Sequence, residues 1–572
     1  MIPSLATRGK LILATGVSFA LIGSIHAAPP LIALGAVLIS AMLTAYLWFF
    51  PTAILLRRRK IELSWWVPPG DQPGGALAAE RPFDLHVALR NHGLRALRVL
   101  RLNIFASSGL RVPDHLEAVV PPGKQVELKA ETIASSSGYA VLHGAVIVFG
   151  DALGLFDVRA YFPNPIALKV FPRQAALRGG SALLRPRGGA LHERVGLHHQ
   201  RRRGLSGELR EIRDHAHGDP FKFIAWKATA RTRKLMVRDL ESEVVITHQI
   251  LLDIAGSMRN GGAHHSKLDY GIETAAALAR NTLDHGDRVG LVTFDSRVYS
   301  QLKPAEGYHH YLKLVDRLIE TRNVVDEDLT DLTNGELVAA VARYLAHQEA
   351  VDVRLRRAPA LDDPTWERIH AGPSGELYDV GALSTVVSTL LKSYGATGQK
   401  SIAPAWWWSR IHIGAGSDPQ MARLRLFCRL RGIELPFRDE HEAGMRGAGL
   451  SEALAATSSG TSRADVVIVL SDLNGVLDRP EITLKQLGLA RRSGQQVIFV
   501  ATFGPSYAPE ATSDSGARVR EVMTVAERDR FEAARQTLMR TGVPVVEVGP
   551  ADNIAALARR VSRAQASMRR VA

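Results

Sequence analysis

The stretch Val245-Ile246-Thr247-His248-Gln249-Ile250-Leu251-Leu252-Asp253-Ile254-Ala255-Gly256-Ser257-Met258 decides how the C-terminal half of this 572-residue chain folds. Residues 245–254 are a largely apolar run, the pattern of a strand covered on both faces. The run breaks at Ala255-Gly256 into a small-residue loop. Further strand-like runs follow at 287–295, 465–473, 496–503 and 543–548. Helical periodicity marks 267–285, 310–322, 336–347, 483–493, 526–541 and 554–567. Buried strands alternating with amphipathic helices predict an open, doubly wound α/β parallel sheet.

In such a sheet, ligands bind beyond the carboxyl ends of the strands, where separate loops converge. Asp253 and Ser257 follow the first strand, Leu470-Ser471-Asp472-Leu473 closes the strand that begins near 465, and Asp328-Leu329-Thr330-Asp331 lies in an intervening loop. Asp253 and Asp472 would offer carboxylate oxygens, and Ser257 and Thr330 hydroxyls. That donor set suits Mg²⁺ or a similar hard cation, with water or a partner's carboxylate completing the shell. Residues 354–461 interrupt the series without a clean period and are expected to form an inserted subdomain, leaving 244–353 and 462–572 as the α/β domain. The insertion holds Trp406-Trp407-Trp408, a candidate partner-docking patch if exposed, and Cys428.

Upstream, residues 173–243 form a basic linker and a compact block. Between Arg173 and Arg238 there are 16 Lys and Arg against 5 Asp and Glu, so +11 of the chain's formal +14 sits in one segment. Trp226, in Phe223-Ile224-Ala225-Trp226, has the apolar setting of a core residue. Residues 61–172 carry short alternating apolar runs between Pro and Gly clusters, the signature of a β-sandwich-like domain. Residues 1–60 contain two apolar stretches, 11–28 and 31–56, separated by Pro29-Pro30 and each about long enough to cross a ~30 Å hydrocarbon layer. Arg8 and Lys10 precede the first, and Arg57, Arg58, Arg59 and Lys60 follow the second. This places both ends of the hairpin, and everything after it, on the cytoplasmic side of an inner membrane. A signal peptide cleaved near Ala27 or Ala28 is the competing reading, and it leaves the second span intact. The single cysteine excludes an internal disulfide and Cys-rich metal motifs.

The pattern Asp253-x-Ala255-x-Ser257, with Thr330 and Asp472, resembles the metal-ion-dependent adhesion site of von Willebrand factor A domains. The family motif is D-x-S-x-S, so Ala255 stands where one ligand serine is expected and the site is degenerate. Gly207-Glu208-Leu209-Arg210-Glu211-Ile212-Arg213, Gly218-Asp219-Pro220, Trp226-Lys227-Ala228 and Ala230-Arg231 resemble the hallmark of the family called "domain of unknown function 58". The resemblance implies a two-helix anchor, a β-rich region and a von Willebrand factor A-like domain. It also implies a MoxR-type AAA+ ATPase as partner, and gives Gly207, Arg210, Gly218, Asp219, Trp226, Lys227 and Arg231 a structural role.

The chain has no phosphate-binding loop, H-E-x-x-H, G-x-S-x-G or dinucleotide fingerprint, so no catalytic residues are assigned and a binding and assembly module is expected rather than an enzyme. His198, His199, His215 and His217 are a weak zinc set, since two fall in the linker and two replace non-ligand positions of the signature. Residues 173–238 offer an alternative role in binding anionic lipid or, less favoured, nucleic acid.

Overall fold

The computed structural model describes residues 3–552, apart from 58–59, 69–76, 114–115, 152, 174–198, 244, 263–264, 285, 323, 326–328, 350, 360–362, 397–417, 439–443, 459–462, 509–510 and 551. Trp406, Trp407, Trp408, His198 and the expected helix 554–567 lie outside the described residues. Packing divides the chain into two compact units: Met1–Phe171 with Asn323–Pro436, and Pro172–Arg322 with Phe437–Ala572.

The first unit begins with helices α1 (Thr7–Ile25) and α2 (Pro29–Arg57). Both are long and apolar enough to cross a membrane, with mean hydropathy 1.3 and 2.1 over an 18-residue window within 7–25 and 29–52. Glycines set how closely the pair approaches. A Cβ on Gly35 would lie 2.7 Å from the Gly16 carbonyl oxygen and 2.8 Å from the Ala20 nitrogen, so a side chain there would force the helices apart. The β domain that follows has two sheets. One runs in the order Ser4–Leu5, Phe156–Phe171, Gly138–Gly150, Leu97–Ala106, Leu116–Val120. The other runs Ile61–Trp66, Pro82–Asn91, Gln125–Ala134, Leu110–Arg111. Strand alternation supplies the core: Ile61, Leu63 and Trp65 are buried while Glu62 and Ser64 are exposed, and Leu85, Leu89, Leu102, Leu142 and Ile147 complete it.

Residues 323–436 add three helices to this unit: Asn334–Gln348, Val380–Ala396 and Pro419–Arg431. Their core is Leu337, Val341, Leu345, Tyr378, Leu383, Val387, Leu424, Phe427 and Cys428. The Tyr161 hydroxyl donates to the Gln348 carbonyl oxygen at 2.7 Å, and a ring nitrogen of His143 lies 2.9 Å from the Tyr344 hydroxyl. This is a different division from the one expected. The sequence pattern puts the helix at 336–347 in the α/β domain, but its apolar face finds its partners among residues of the supposed insertion. Conversely, residues 446–458, which the absence of a clean period puts in that insertion, form the helix Arg446–Ser458, which packs through Leu450, Ala453 and Leu454 in the core of the second unit.

The second unit holds a six-stranded sheet in the order Val298–Ala305, Arg288–Phe294, Thr247–Asp253, Val466–Ser471, Gln496–Thr502, Val545–Val548. Five strands are parallel, and Val298–Ala305 pairs antiparallel at the edge. Every residue of Val466–Ser471 is buried, as a central strand covered on both faces requires. Leu251 and Val469 point into a core shared with Leu450, Leu487 and Phe531. Leu252, on the opposite face, lies within 3.1 Å of a Cβ built on Gly271 in the helix Lys267–Asp284. Helices therefore cover both faces. Each well-buried aliphatic or Phe side chain contributes about 1.5–3 kcal/mol to this arrangement. The chain is thus an α/β protein of several sheets preceded by two apolar helices.

Candidate functional site

The strands Thr247–Asp253 and Val466–Ser471 are parallel neighbours with Leu252 opposite Leu470. Asp253 and Asp472 therefore leave adjacent strand ends in the same direction. Both are buried, at 3% and 4% exposure. The single helical turn Gly256–Arg259 brings Ser257 over them, and the Ser257 hydroxyl donates to Asp472 Oδ2 at 2.5 Å. Three of the four expected residues, Asp253, Ser257 and Asp472, thus gather in one place. Thr330 belongs to the first unit, where its hydroxyl accepts from Arg425 Nη1 at 2.7 Å.

Other residues complete the cluster. Asp253 Oδ1 accepts from the Ala255 N–H at 3.0 Å and Oδ2 from the Ser471 hydroxyl at 2.7 Å. Asp472 Oδ2 also accepts from Lys267 Nζ at 2.8 Å and from Asn474 Nδ2 at 2.9 Å, and Oδ1 accepts from the Asn474 N–H at 3.1 Å. Arg446 Nη1 donates to the Ser257 hydroxyl oxygen at 2.9 Å, and Arg446 Nε lies 4.0 Å from the buried Asp295. Leu473 holds a left-handed backbone, φ 66°, which costs a residue with a Cβ about 1–2 kcal/mol. Its N–H donates to Ser471 Oγ at 3.2 Å and its side chain is 1% exposed, which together hold that conformation.

The two carboxyls are driven apart electrostatically. Burial, then the negative charge of Asp472, pushes Asp253 up to about 7. Burial would raise Asp472 as well. The charge and hydrogen bond of Lys267, the Ser257 hydroxyl and Arg446 outweigh that and hold Asp472 below the usual carboxylate range.

The donor set fits a divalent cation poorly. Asp472 Oδ2 already faces three donors, both Asp253 oxygens are engaged, and Ala255 offers no side-chain oxygen. Among the described residues, no three His, Cys, Asp or Glu side chains converge as a metal site. Lys267, Arg446, Asp295 and Asn474 were not expected here. Lys267 opens a helix with nothing in its sequence to set it apart from any surface lysine, and Arg446 falls in the stretch read as an insertion. Only Asn474, two residues beyond Asp472, carried a local signal.

The signature block lies in the same unit. Gly207 and Arg210 fall in the strand His199–Asp214, which pairs with Met236–Glu243. Asp219 receives both Arg213 terminal nitrogens at 2.7 Å and the Ala216 N–H at 2.8 Å. The Arg213 hydrogen bonds hold the Asp219 carboxyl far below its usual range. Gly218, at φ +100°, turns the chain between them in a conformation that favours glycine. Lys227 and Arg231 are exposed on the short helix Trp226–Thr232. Trp226 is not a core residue. It is 66% exposed and Phe221 75%, while Ile224 and Ala225 are buried, because Ile224 pairs with Val237 and the Ala225 N–H donates to the Met236 carbonyl oxygen.

No curated protein matches the chain. Among solved structures, BatB from Bacteroides thetaiotaomicron, described as a conserved hypothetical protein, is 14% identical over 56% of this chain and 98% of its own, with TM-score 0.24. Native α2-macroglobulin from Escherichia coli, domain MG7 to the C-terminus, is 17% identical over 20% of this chain, with TM-score 0.16, and the match spans 16% of that structure. A FixG-related protein from Vibrio parahaemolyticus is 11% identical over 19% of this chain and 96% of its own, with TM-score 0.14. Residues 211–347, from within the strand His199–Asp214 to the helix Asn334–Gln348, match the family described as "Protein of unknown function DUF58".

Proposed function

We propose that this chain is a membrane-anchored protein-docking module, not an enzyme, whose second unit is a von Willebrand factor A-like domain. The observation that carries this is the convergence of the Asp253 and Asp472 loops at adjacent carboxyl ends of a parallel sheet. The exposed residues Asn260, Asn474 and Leu477, with half-exposed Ser257 and Arg259, border that convergence. Oxygen and amide groups beside one apolar side chain, held on buried supports, suit recognition of a protein surface. A MoxR-type AAA+ ATPase is the proposed partner.

The anchor would place the chain in the inner membrane with its domains on the cytoplasmic face. Basic residues Arg8, Lys10 and Lys60 lie at the same end of the helical hairpin. Two loop tips stand at that end. Arg95 stacks 4.7 Å from the Trp48 ring and donates to the Trp48 carbonyl oxygen at 2.9 Å, and neighbouring Leu94 is 93% exposed. The Ala6 N–H donates to the Leu155 carbonyl oxygen at 2.9 Å, beside Leu153 at 66% exposure. Solvent-facing leucines beside an aromatic and an arginine fit the headgroup layer.

Binding of the purified full chain in detergent to the purified ATPase tests the docking reading. Leu477→Asp and Asn260→Arg should each weaken binding at least about tenfold, roughly 1.4 kcal/mol, without changing thermal unfolding. Unchanged affinity in both folded variants removes these loops from the interface. A second reading, contact with an anionic lipid surface, is favoured by exposed Trp226 and Phe221 beside exposed Lys222, Lys227 and Arg231. Binding to phosphatidylglycerol vesicles that is lost in Trp226→Ser with Phe221→Ser but kept in the loop variants would select it.

A further inference from the structure

We propose that Lys267 and Arg446 take the place of a divalent cation in this site, so that the loops above the sheet are held together by the chain's own charges. Three carboxyls, Asp253, Asp295 and Asp472, are buried here at 3%, 1% and 4% exposure. Such a concentration of carboxyls needs positive charge beside it. A lysine and an arginine supply two unit charges, the same total as Mg²⁺, from side chains 5% and 7% exposed.

The placement of Lys267 is informative. It is the first residue of the helix Lys267–Asp284, where the helix dipole disfavours a cation. It is buried there nonetheless, so the 2.8 Å contact with Asp472 is what holds it. An entering cation would have to strip a hydrogen bond from Asp472 Oδ2 and leave a buried ammonium without its carboxylate. Arg446 performs the second half of the task. It donates to Ser257, which in turn donates to Asp472, so the guanidinium joins the helix Arg446–Ser458 to the loop after Asp253. The missing ligand oxygen at Ala255 agrees with this, since a site neutralised from within has no use for it.

The substitution of residues for metal does not depend on the docking reading. Its consequence, that partner binding is indifferent to chelators, does rest on that reading. The experiment uses the full chain purified in detergent, with equilibrium dialysis against Mn²⁺ and thermal unfolding in Mg²⁺, Mn²⁺ or EDTA. Wild type should bind no stoichiometric Mn²⁺ and unfold at the same temperature in all three. Lys267→Ala combined with Ala255→Ser opens the position and restores an oxygen. That variant should bind one Mn²⁺ per chain and gain about 5 °C at a roughly hundredfold excess over Kd. Should the double variant not fold, Lys267→Gln with Ala255→Ser, which keeps a donor near Asp472, carries the same comparison. Stoichiometric Mn²⁺ binding by wild type that Asp472→Asn abolishes would overturn the proposal. So would a folded double variant that ignores the ion. Failure of wild type to bind the ATPase, with these metal results intact, would instead count against docking alone.

Discussion

Asp253 and Asp472 bear the same side chain on adjacent strand ends, yet their neighbours send them in opposite directions. Asp253 meets a backbone N–H and a hydroxyl, and its carboxyl rises to about 7. Asp472 meets an ammonium and stays ionised. Replacement by an isosteric amide should therefore separate them. In Asp253→Asn the amide oxygen still accepts from Ala255 and the amide nitrogen can donate to Ser471, so the expected cost is about 1 kcal/mol or less. Asp472→Asn leaves Lys267 buried without its anion and should cost about 3–5 kcal/mol. Urea denaturation at pH 7 checks the pair, and equal losses would show that Lys267 is not the dominant partner. The carboxylates, Ser257 and the gap at Ala255 were legible because each stands at a fixed offset from a strand end. Lys267 was not, since a lysine opening a helix reads as solvent-exposed until its neighbours are known.

At the scale of elements, strands and helices followed from periodicity, but their partners did not. The buried runs around Leu251, Val292, Val469 and Phe499 became the central strands of the sheet. The edge strand Val298–Ala305 was missed because its residues are mostly half-buried and carry no continuous apolar run. The helix Asn334–Gln348 was recognised, with Thr333 and Glu336 forming its capping box. Its apolar stripe said only that it packs, not against what. The helix Arg446–Ser458 shows what such packing does for the site. A Cβ on Gly449 would collide with the Asp295 carbonyl oxygen, so glycine there lets the helix come close enough for Arg446, one turn earlier, to reach Ser257. Gly449→Ala should cost about 2–3 kcal/mol. Calorimetry of the full chain checks this, and an unchanged transition would mean that the helix does not seat as described.

For the whole molecule, the apolar hairpin is also part of the β domain's packing. Ser4–Leu5 pairs antiparallel with Asp157 and Phe156, Met42 and Phe49 are buried in the β-domain core, and Tyr46 packs edge-on to Phe156 at 5.5 Å. A fragment beginning at residue 61 should therefore lose stability in its first unit, with a lower-temperature transition and increased dye binding to exposed apolar surface, while the second unit's transition stays in place. Coincident transitions in the fragment and the full chain would show the hairpin to be separable.

Local information in the sequence determined the two apolar helices, the β-rich region, the parallel-sheet strands and the three residues that meet at their ends, because each is written in periodicity or in spacing along the chain. Only the tertiary structure decided that residues 323–436 pack with the N-terminal unit and that Lys267 and Arg446 neutralise the carboxylates. Both depend on which surfaces and charges come together over long sequence separations, and no local pattern encodes that choice.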